Sequence, residues 1–123
     1  MHSLNLSHIK SKFENIYYLG NEKLLNRRKV SIVGSRRPNS YTKIFTHKIS
    51  QVLSNNGIVI VSGAAMGVDA ISHKAAGANN TIAVVANSLD IRYPSVNRNL
   101  IQDIEKDGLM LSFFKKEHRA RPY

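Results

Sequence analysis

The sequence predicts an α/β protein built on a parallel sheet, and three observations carry the prediction. Wholly apolar or nearly apolar runs recur along the chain: VSIV at 30–33, IVIV at 58–61, TIAVVA at 81–86 and LMLSFF at 109–114. Unbroken apolar runs of this length mark strands buried on both faces, as parallel strands are. Segments with helical spacing separate the runs, and glycine or small polar residues punctuate each junction. Strand–helix three times and then a strand, joined by right-handed crossovers, gives a Rossmann-like sheet with helices layered on its faces, three layers in all.

Each element follows in chain order. Residues 3–15 have mixed character and are expected to form a short helix. The segment 16–25, IYYLGNEKLL, reads as a short strand, a turn at Gly20-Asn21 and one helical turn. Arg27, Arg28 and Lys29 lead into the strand at 30–33. From Ser40 to about Asn56, residues Ile44, Phe45, Ile49, Val52 and Leu53 recur at three to four and share a face, the expected inner face. Ser40 is the expected N-cap and Asn56-Gly57 the stop. After the strand at 58–61 a helix runs from Gly67 or Val68 to Ala76, with Val68, Ile71, Ala75 and Ala76 inward. Residues 77–80 turn into the strand at 81–86. Pro94 opens the next helix, with Ser95 as N-cap and Val96, Leu100, Ile101 and Ile104 as its apolar stripe, ending at Asp107-Gly108. The strand at 109–114 follows, and the basic tail 115–123 has no apolar periodicity. The chain divides into an extension (1–28), an α/β core (29–114) and that tail.

Composition narrows the function classes. The chain of 123 residues carries 18 Lys and Arg against 8 Asp and Glu, a formal charge of +10. A basic domain of this kind seeks polyanions. An anionic lipid surface fits less well, because no strongly basic amphipathic helix is present. No apolar run approaches the roughly 20 residues a membrane span needs. Without cysteine there is neither a disulfide framework nor a thiolate metal site. With no signal-like N-terminus, the expectation is a cytoplasmic protein.

In a parallel sheet the carboxyl ends of the strands share one edge, where ligands bind. That edge is expected to collect Gly34-Ser35-Arg36-Arg37, the segment Ser62-Gly63-Ala64-Ala65-Met66-Gly67-Val68-Asp69, and Ala86-Asn87-Ser88-Leu89-Asp90. In the second segment glycine and alanine let an anion approach the backbone, and the helix start at Gly67 offers N–H groups to a phosphate. The same residues also suit a tight turn needing glycine for sterics alone. Arg36 and Arg37 favour the phosphate, because a guanidinium fork beside that turn matches phosphate geometry. Pro38 stiffens the loop and holds Arg37 extended.

Other chemistry is absent from the pattern or weak in it. The G-x-G-x-x-G fingerprint and the G-x-x-x-x-G-K-[ST] loop do not occur, so no nucleotide cofactor is expected. Asp69 and His73, four apart on one helix face, read as a helix pair or a cap interaction, or, with no third ligand evident, as two metal ligands; Asp69 in the first turn would alternatively stabilise the helix end and orient the loop. Tyr93 either packs with Pro94 or offers a ring for base stacking. Neither a nucleophile with a positioned base nor a paired carboxylate is visible.

The blocks IVGSRRPNSY, IVIVSGAAMGVDAISHKAA and TIAVVANSLDIRYPSVNRNLIQDIEKDGLMLS, from about Tyr17 to Ser112, together resemble the DprA/Smf family of bacterial DNA-processing proteins. The resemblance implies a Rossmann-like fold that binds single-stranded DNA, dimerises, and helps load the RecA recombinase on DNA entering during natural transformation. It implies DNA contacts at Gly34, Ser35, Arg36, Ser62, Gly63 and Ala64; the loop reading above adds Arg37, Ala65 and Gly67. Two departures stand out. Phe113 occupies the place where the family carries Glu after the serine of the last strand, and the family's following F-x-x-R-N-R segment is not in this sequence. The chain is therefore expected to be a fragment, the first half of an extended Rossmann fold.

The function expected is a non-catalytic mediator of recombination that binds single-stranded DNA, protects it and forms a homodimer when the rest of the family's length is present. The competing readings are an enzyme similar to the phosphoribohydrolases that cleave nucleoside monophosphates, whose G-G-x-G-T-x-x-E motif is absent here, and an inactive truncated remnant that only contacts protein.

Overall fold

The computed structural model describes residues 2–4 and 15–116. Among them the strands are β1 (His2–Leu4), β2 (Ile16–Gly20), β3 (Lys29–Ser31), β4 (Val59–Ser62), β5 (Thr81–Val85) and β6 (Leu109–Ser112). The helices are α1 (Ser40–Asn55), α2 (Val68–Ala76) and α3 (Arg98–Asp107). The described strands form one sheet in the order β1-β2-β6-β5-β4-β3. The four strands β3 to β6 are parallel, as the strand–helix alternation predicts. β2 pairs antiparallel with β6 and β1 antiparallel with β2. The segment 16–20, expected within an extension, thus belongs to the sheet. Residues 3 and 4 lie in β1, not a helix; the rest of the helix expected over 3–15 lies mostly outside the described residues.

The core has two halves because successive strand residues point to opposite faces. On one face Ala83, Val85 and Met110 pack with Ala70 of α2 and with Leu100, Ile101 and Ile104 of α3. On the other, Val59, Ile82, Leu109 and Leu111 are closed by Leu24 and Leu25 of a 3-10 turn, Glu22–Asn26. The third layer is this turn among the described residues. Asn21 sets it up by accepting the Lys23 N–H on its side-chain oxygen, at 3.1 Å.

Helix α3 buries Leu100, Ile101 and Ile104 as its spacing predicts, but it begins at Arg98. Residues 95–97 form a 3-10 turn and Val96 is exposed. Helix α1 is capped by Asn39, whose Oδ1 accepts the Thr42 N–H at 2.9 Å, so the cap is one residue earlier than expected. It ends at Asn55, with Asn56 as C-cap and then Gly57 with φ +78°.

Two burial expectations are overturned. The strand VSIV was expected to be covered on both faces, yet β3 is the sheet edge and Val33 is 71% exposed. The apolar stripe of α1 exists but is open: Ile44 is 69%, Phe45 54% and Val52 52% exposed, while the buried positions are Thr46 and Ser50. Tyr41 and Phe45, one turn apart, stack in the open with ring centroids 6.3 Å apart. The physical reason is position. α1 packs chiefly on α2 at the β3 edge, beyond which no described strand or helix lies to cover its far flank. At the contact Ser54 Oγ of α1 donates to the Ala76 carbonyl of α2 at 2.6 Å.

Ser50 is fully buried and its Oγ has no partner among the described residues. A buried hydroxyl without a hydrogen bond costs about 1–3 kcal/mol of desolvation. Ser50→Ala is therefore expected to raise stability by about 1 kcal/mol, read as a higher urea midpoint with unchanged slope.

Candidate functional site

Parallel pairing brings the ends of β3, β4 and β5 to one edge, and the first two loops there form a single unit. Ser62 Oγ donates to the Ile32 carbonyl at 2.6 Å. Val68 N–H donates to the Ser35 carbonyl at 3.0 Å. A Cβ on Gly67 would lie 2.3 Å from the Ser35 carbonyl oxygen and 2.7 Å from the Arg36 carbonyl. Glycine is required there for close approach, and its φ of +82° requires it again. Ser35 Oγ accepts the Arg37 N–H at 3.0 Å, bending the chain before Pro38. Gly34, Ser35, Arg36, Arg37 and Gly67 are thus brought together, as the sequence reading anticipated. Arg36 and Arg37 share a cleft of about 520 Å³ with Lys43 of α1, Lys74 of α2, Met66 and Ile71. None of these four cations has a carboxylate within ion-pair distance among the described residues.

The second loop is built differently from the expectation. The amides of Gly63 and Ala65 both donate to Asp69 Oδ2, at 3.1 and 3.4 Å. The Ala64 amide donates to His73 Nε2 at 3.1 Å, and Asn97 Nδ2 donates to the Ala64 carbonyl at 2.9 Å. Ala64 is fully buried and held at φ +60°, a left-handed conformation that alanine adopts only when its surroundings impose it. The expectation that these amides grip an anion is corrected: they are bonded within the protein. A carboxylate beneath the loop also disfavours an anion at its amides. Ser62, Gly63, Ala64 and Ala65 shape the edge; the cations stand above it.

Asp69 and His73 therefore act as neither a mutual pair nor metal ligands; each holds the loop from the first turns of α2. His73 is fully buried. Because Nε2 accepts from Ala64, the ring proton resides on Nδ1 and donates to Thr81 Oγ1 at 2.6 Å. Thr81 Oγ1 in turn donates to the Ile60 carbonyl at 2.8 Å. Burial lowers the imidazole pKa to about 4, so the ring is neutral at pH 7. Among the described residues no three of His, Asp and Glu come together to hold a metal ion, and no helix is long and apolar enough to cross a membrane.

The third loop is structural. Asn87, Ser88 and Leu89 are buried; Ser112 Oγ donates to the Asn87 carbonyl at 2.7 Å. Arg92 grips Glu105 through Nε and Nη2, the shorter contact being 2.8 Å. Tyr93 is 37% exposed, with no described aromatic partner that would decide between packing and stacking. The sequence reading missed Lys43, Lys74 and Asn97. The two lysines carried a signal in their helical placement beside the loop; Asn97, 33 residues from Ala64, carried none.

Comparison with known proteins agrees with the fold. A model of DNA recombination-mediator protein A matches residues 2–123. The protein Smf of Synechocystis sp. is 42% identical over 106 residues, 79% of this chain and 26% of Smf. Among solved structures, DNA processing protein A from Helicobacter pylori, studied for its single-stranded DNA binding mode, superposes with a TM-score of 0.89 at 38% identity, over 96% of this chain and 57% of that one. DprA from Streptococcus pneumoniae gives 0.82 at 37% identity, over 96% and 42%. The chain spans about a quarter to a third of the length of the curated relatives it matches first.

Proposed function

This chain belongs to the DNA recombination-mediator protein A family, and from that premise we propose that it binds single-stranded DNA as a non-catalytic mediator. In this reading it protects incoming DNA and helps load the RecA recombinase in the cytoplasm during natural transformation, as a homodimer when the remaining length of its relatives is present. The α/β core at 29–114 supplies the binding edge. Arg36 and Arg37 contact the phosphates. Gly34, Ser35 and Gly67 place them, and Ser62, Gly63, Ala64 and Ala65 form the rigid step on which the arginine loop rests.

The observation that carries the reading is the cleft itself: four cations, without acidic partners among the described residues, lining one cleft beside two loops packed backbone to backbone at the strand carboxyl ends. Such an arrangement holds a phosphodiester by charge-assisted hydrogen bonds and offers no group to cleave it. Arg36→Ala is expected to weaken binding of a labelled oligothymidylate by roughly 10- to 100-fold, the equivalent of one lost charge-assisted contact of about 1.5–3 kcal/mol. Fluorescence anisotropy across a salt series reads it. Wild-type affinity retained in Arg36→Ala at every salt concentration overturns the reading.

A further inference from the structure

We propose that the groove between α1 and α2 is a second stretch of the same binding track, in which Lys43, Lys48 and Lys74 hold the backbone of a single-stranded nucleic acid as it leaves the arginine loop. This rests on the function proposed above and extends it to residues beyond the loops. The cleft at Arg36 and Arg37 does not end at the sheet edge. It shares Lys43 and Ile71 with a second cleft of about 600 Å³, lined further by Ile44, His47, Lys48 and Gln51. On α1 the spacing 43, 47, 48 and 51 places these side chains on one flank. That flank covers about 12 Å of helix at 1.5 Å per residue.

Charge on this flank is one-signed. Between Glu22 and Asp69 the sequence holds no carboxylate, against eight basic residues: Lys23, Arg27, Arg28, Lys29, Arg36, Arg37, Lys43 and Lys48. Asp69, the acid nearest in sequence on α2, is turned under the loop to the Gly63 and Ala65 amides. Lys43, His47, Lys48 and Lys74 are exposed, so their heads are available to a ligand. The floor differs from a simple basic patch. Ile71 lines both clefts, Met66 is 43% exposed and Ile44 is 69% exposed. Cations alternating with apolar surface suit a strand whose bases are unpaired and need contact, whereas a duplex presents only phosphate to such a wall.

The test is a Lys43→Ala/Lys48→Ala double variant of the chain, compared with wild type and Arg36→Ala. The probes are oligothymidylates of about 6 and about 20 nucleotides, within and beyond the span of one small binding domain. Both positions are solvent-facing in a helix and alanine is a good helix former, so the fold is retained. The double variant is expected to bind the longer strand about tenfold more weakly, with the slope of log K against log salt reduced by about 1.4, roughly 0.7 for each phosphate released. It should bind the shorter strand with a smaller loss, because Lys43 also borders the arginine cleft whereas Lys48 lines only the groove. Lys43→Arg/Lys48→Arg should restore the longer strand. If the double variant matches wild type on the longer strand while Arg36→Ala is weakened, the groove proposal is overturned and the arginine-loop reading stands. If Arg36→Ala is unchanged and the double variant is weakened, the groove stands without the loop. Loss of binding to phosphatidylserine vesicles with no loss on either oligonucleotide overturns the groove as a nucleic-acid track.

Discussion

Gly67→Ala is expected to cost about 3–4 kcal/mol of folding stability and, in whatever folds, to abolish tight strand binding without removing a single ligand contact. Two terms add. Alanine at φ +82°, ψ −127° occupies a region open essentially to glycine, at a cost of about 1–3 kcal/mol. The new methyl would also meet the Ser35 carbonyl oxygen at 2.3 Å and the Arg36 carbonyl at 2.7 Å. These are backbone atoms, so relief requires the first loop to move away from the second, and overpacking of this kind costs about 1–3 kcal/mol. Domains of this size are stable by roughly 5–15 kcal/mol, so the loss is a large share. Gly57→Ala separates the terms. It has a positive φ of +78°, but the nearest atom to its new Cβ is the end of the Arg27 side chain at 3.8 Å. It should cost about 1–2 kcal/mol. Urea unfolding of both variants checks this. Equal losses would mean that the two loops are not packed as described, and the placement of Arg36 would lose its basis.

The comparison of these glycines shows what the sequence made legible. The four parallel strands and three helices could be read because each strand is a short apolar run and each junction carries glycine or a cap. Parallel topology alone then put Gly34–Arg37 and Ser62–Gly67 on one edge. Burial was read less well at that edge. The stripe Ile44, Phe45, Ile49, Val52 and Leu53 has true helical spacing, and periodicity reports that a face is apolar without reporting what covers it. β3 looked like a central strand for the same reason: Val30 to Val33 are apolar except for Ser31, and only pairing distinguishes an edge from a centre. The loop amides were misassigned through a local ambiguity. A glycine-rich strand-to-helix turn serves an anion or its own helix equally well, and Asp69 and His73, both buried on α2, take the amides first. The spacing of those two residues on one face was visible; that both turn back onto 63–65 follows from the tertiary path, as does the reach of Asn97.

His73 makes that internal solution dependent on pH, and the sign follows from its environment. In the unfolded chain the imidazole has its ordinary pKa near 6.5. In the folded protein burial lowers it to about 4. Between those values the unfolded state binds the extra proton, so stability rises with pH through the window and is lost as pH falls through it. The difference corresponds to about 3 kcal/mol, fully present above pH 6.5 and gone below about pH 4. The structural reason is at Nε2, whose lone pair accepts the Ala64 amide. Once protonated, that nitrogen can only donate, and Ala64 then loses one of the two bonds that hold its left-handed conformation. The loop should therefore loosen ahead of the rest of the fold as pH falls through about 4. Urea midpoints measured from pH 4 to 8 give the stability term. His73→Gln, whose side-chain oxygen can accept the same amide without titrating, should flatten the dependence in that window even if it is less stable throughout. A wild-type midpoint that does not fall between pH 6.5 and 4, or a His73→Gln profile as steep as wild type, would mean the imidazole is not the acceptor that sets the Ala64 turn.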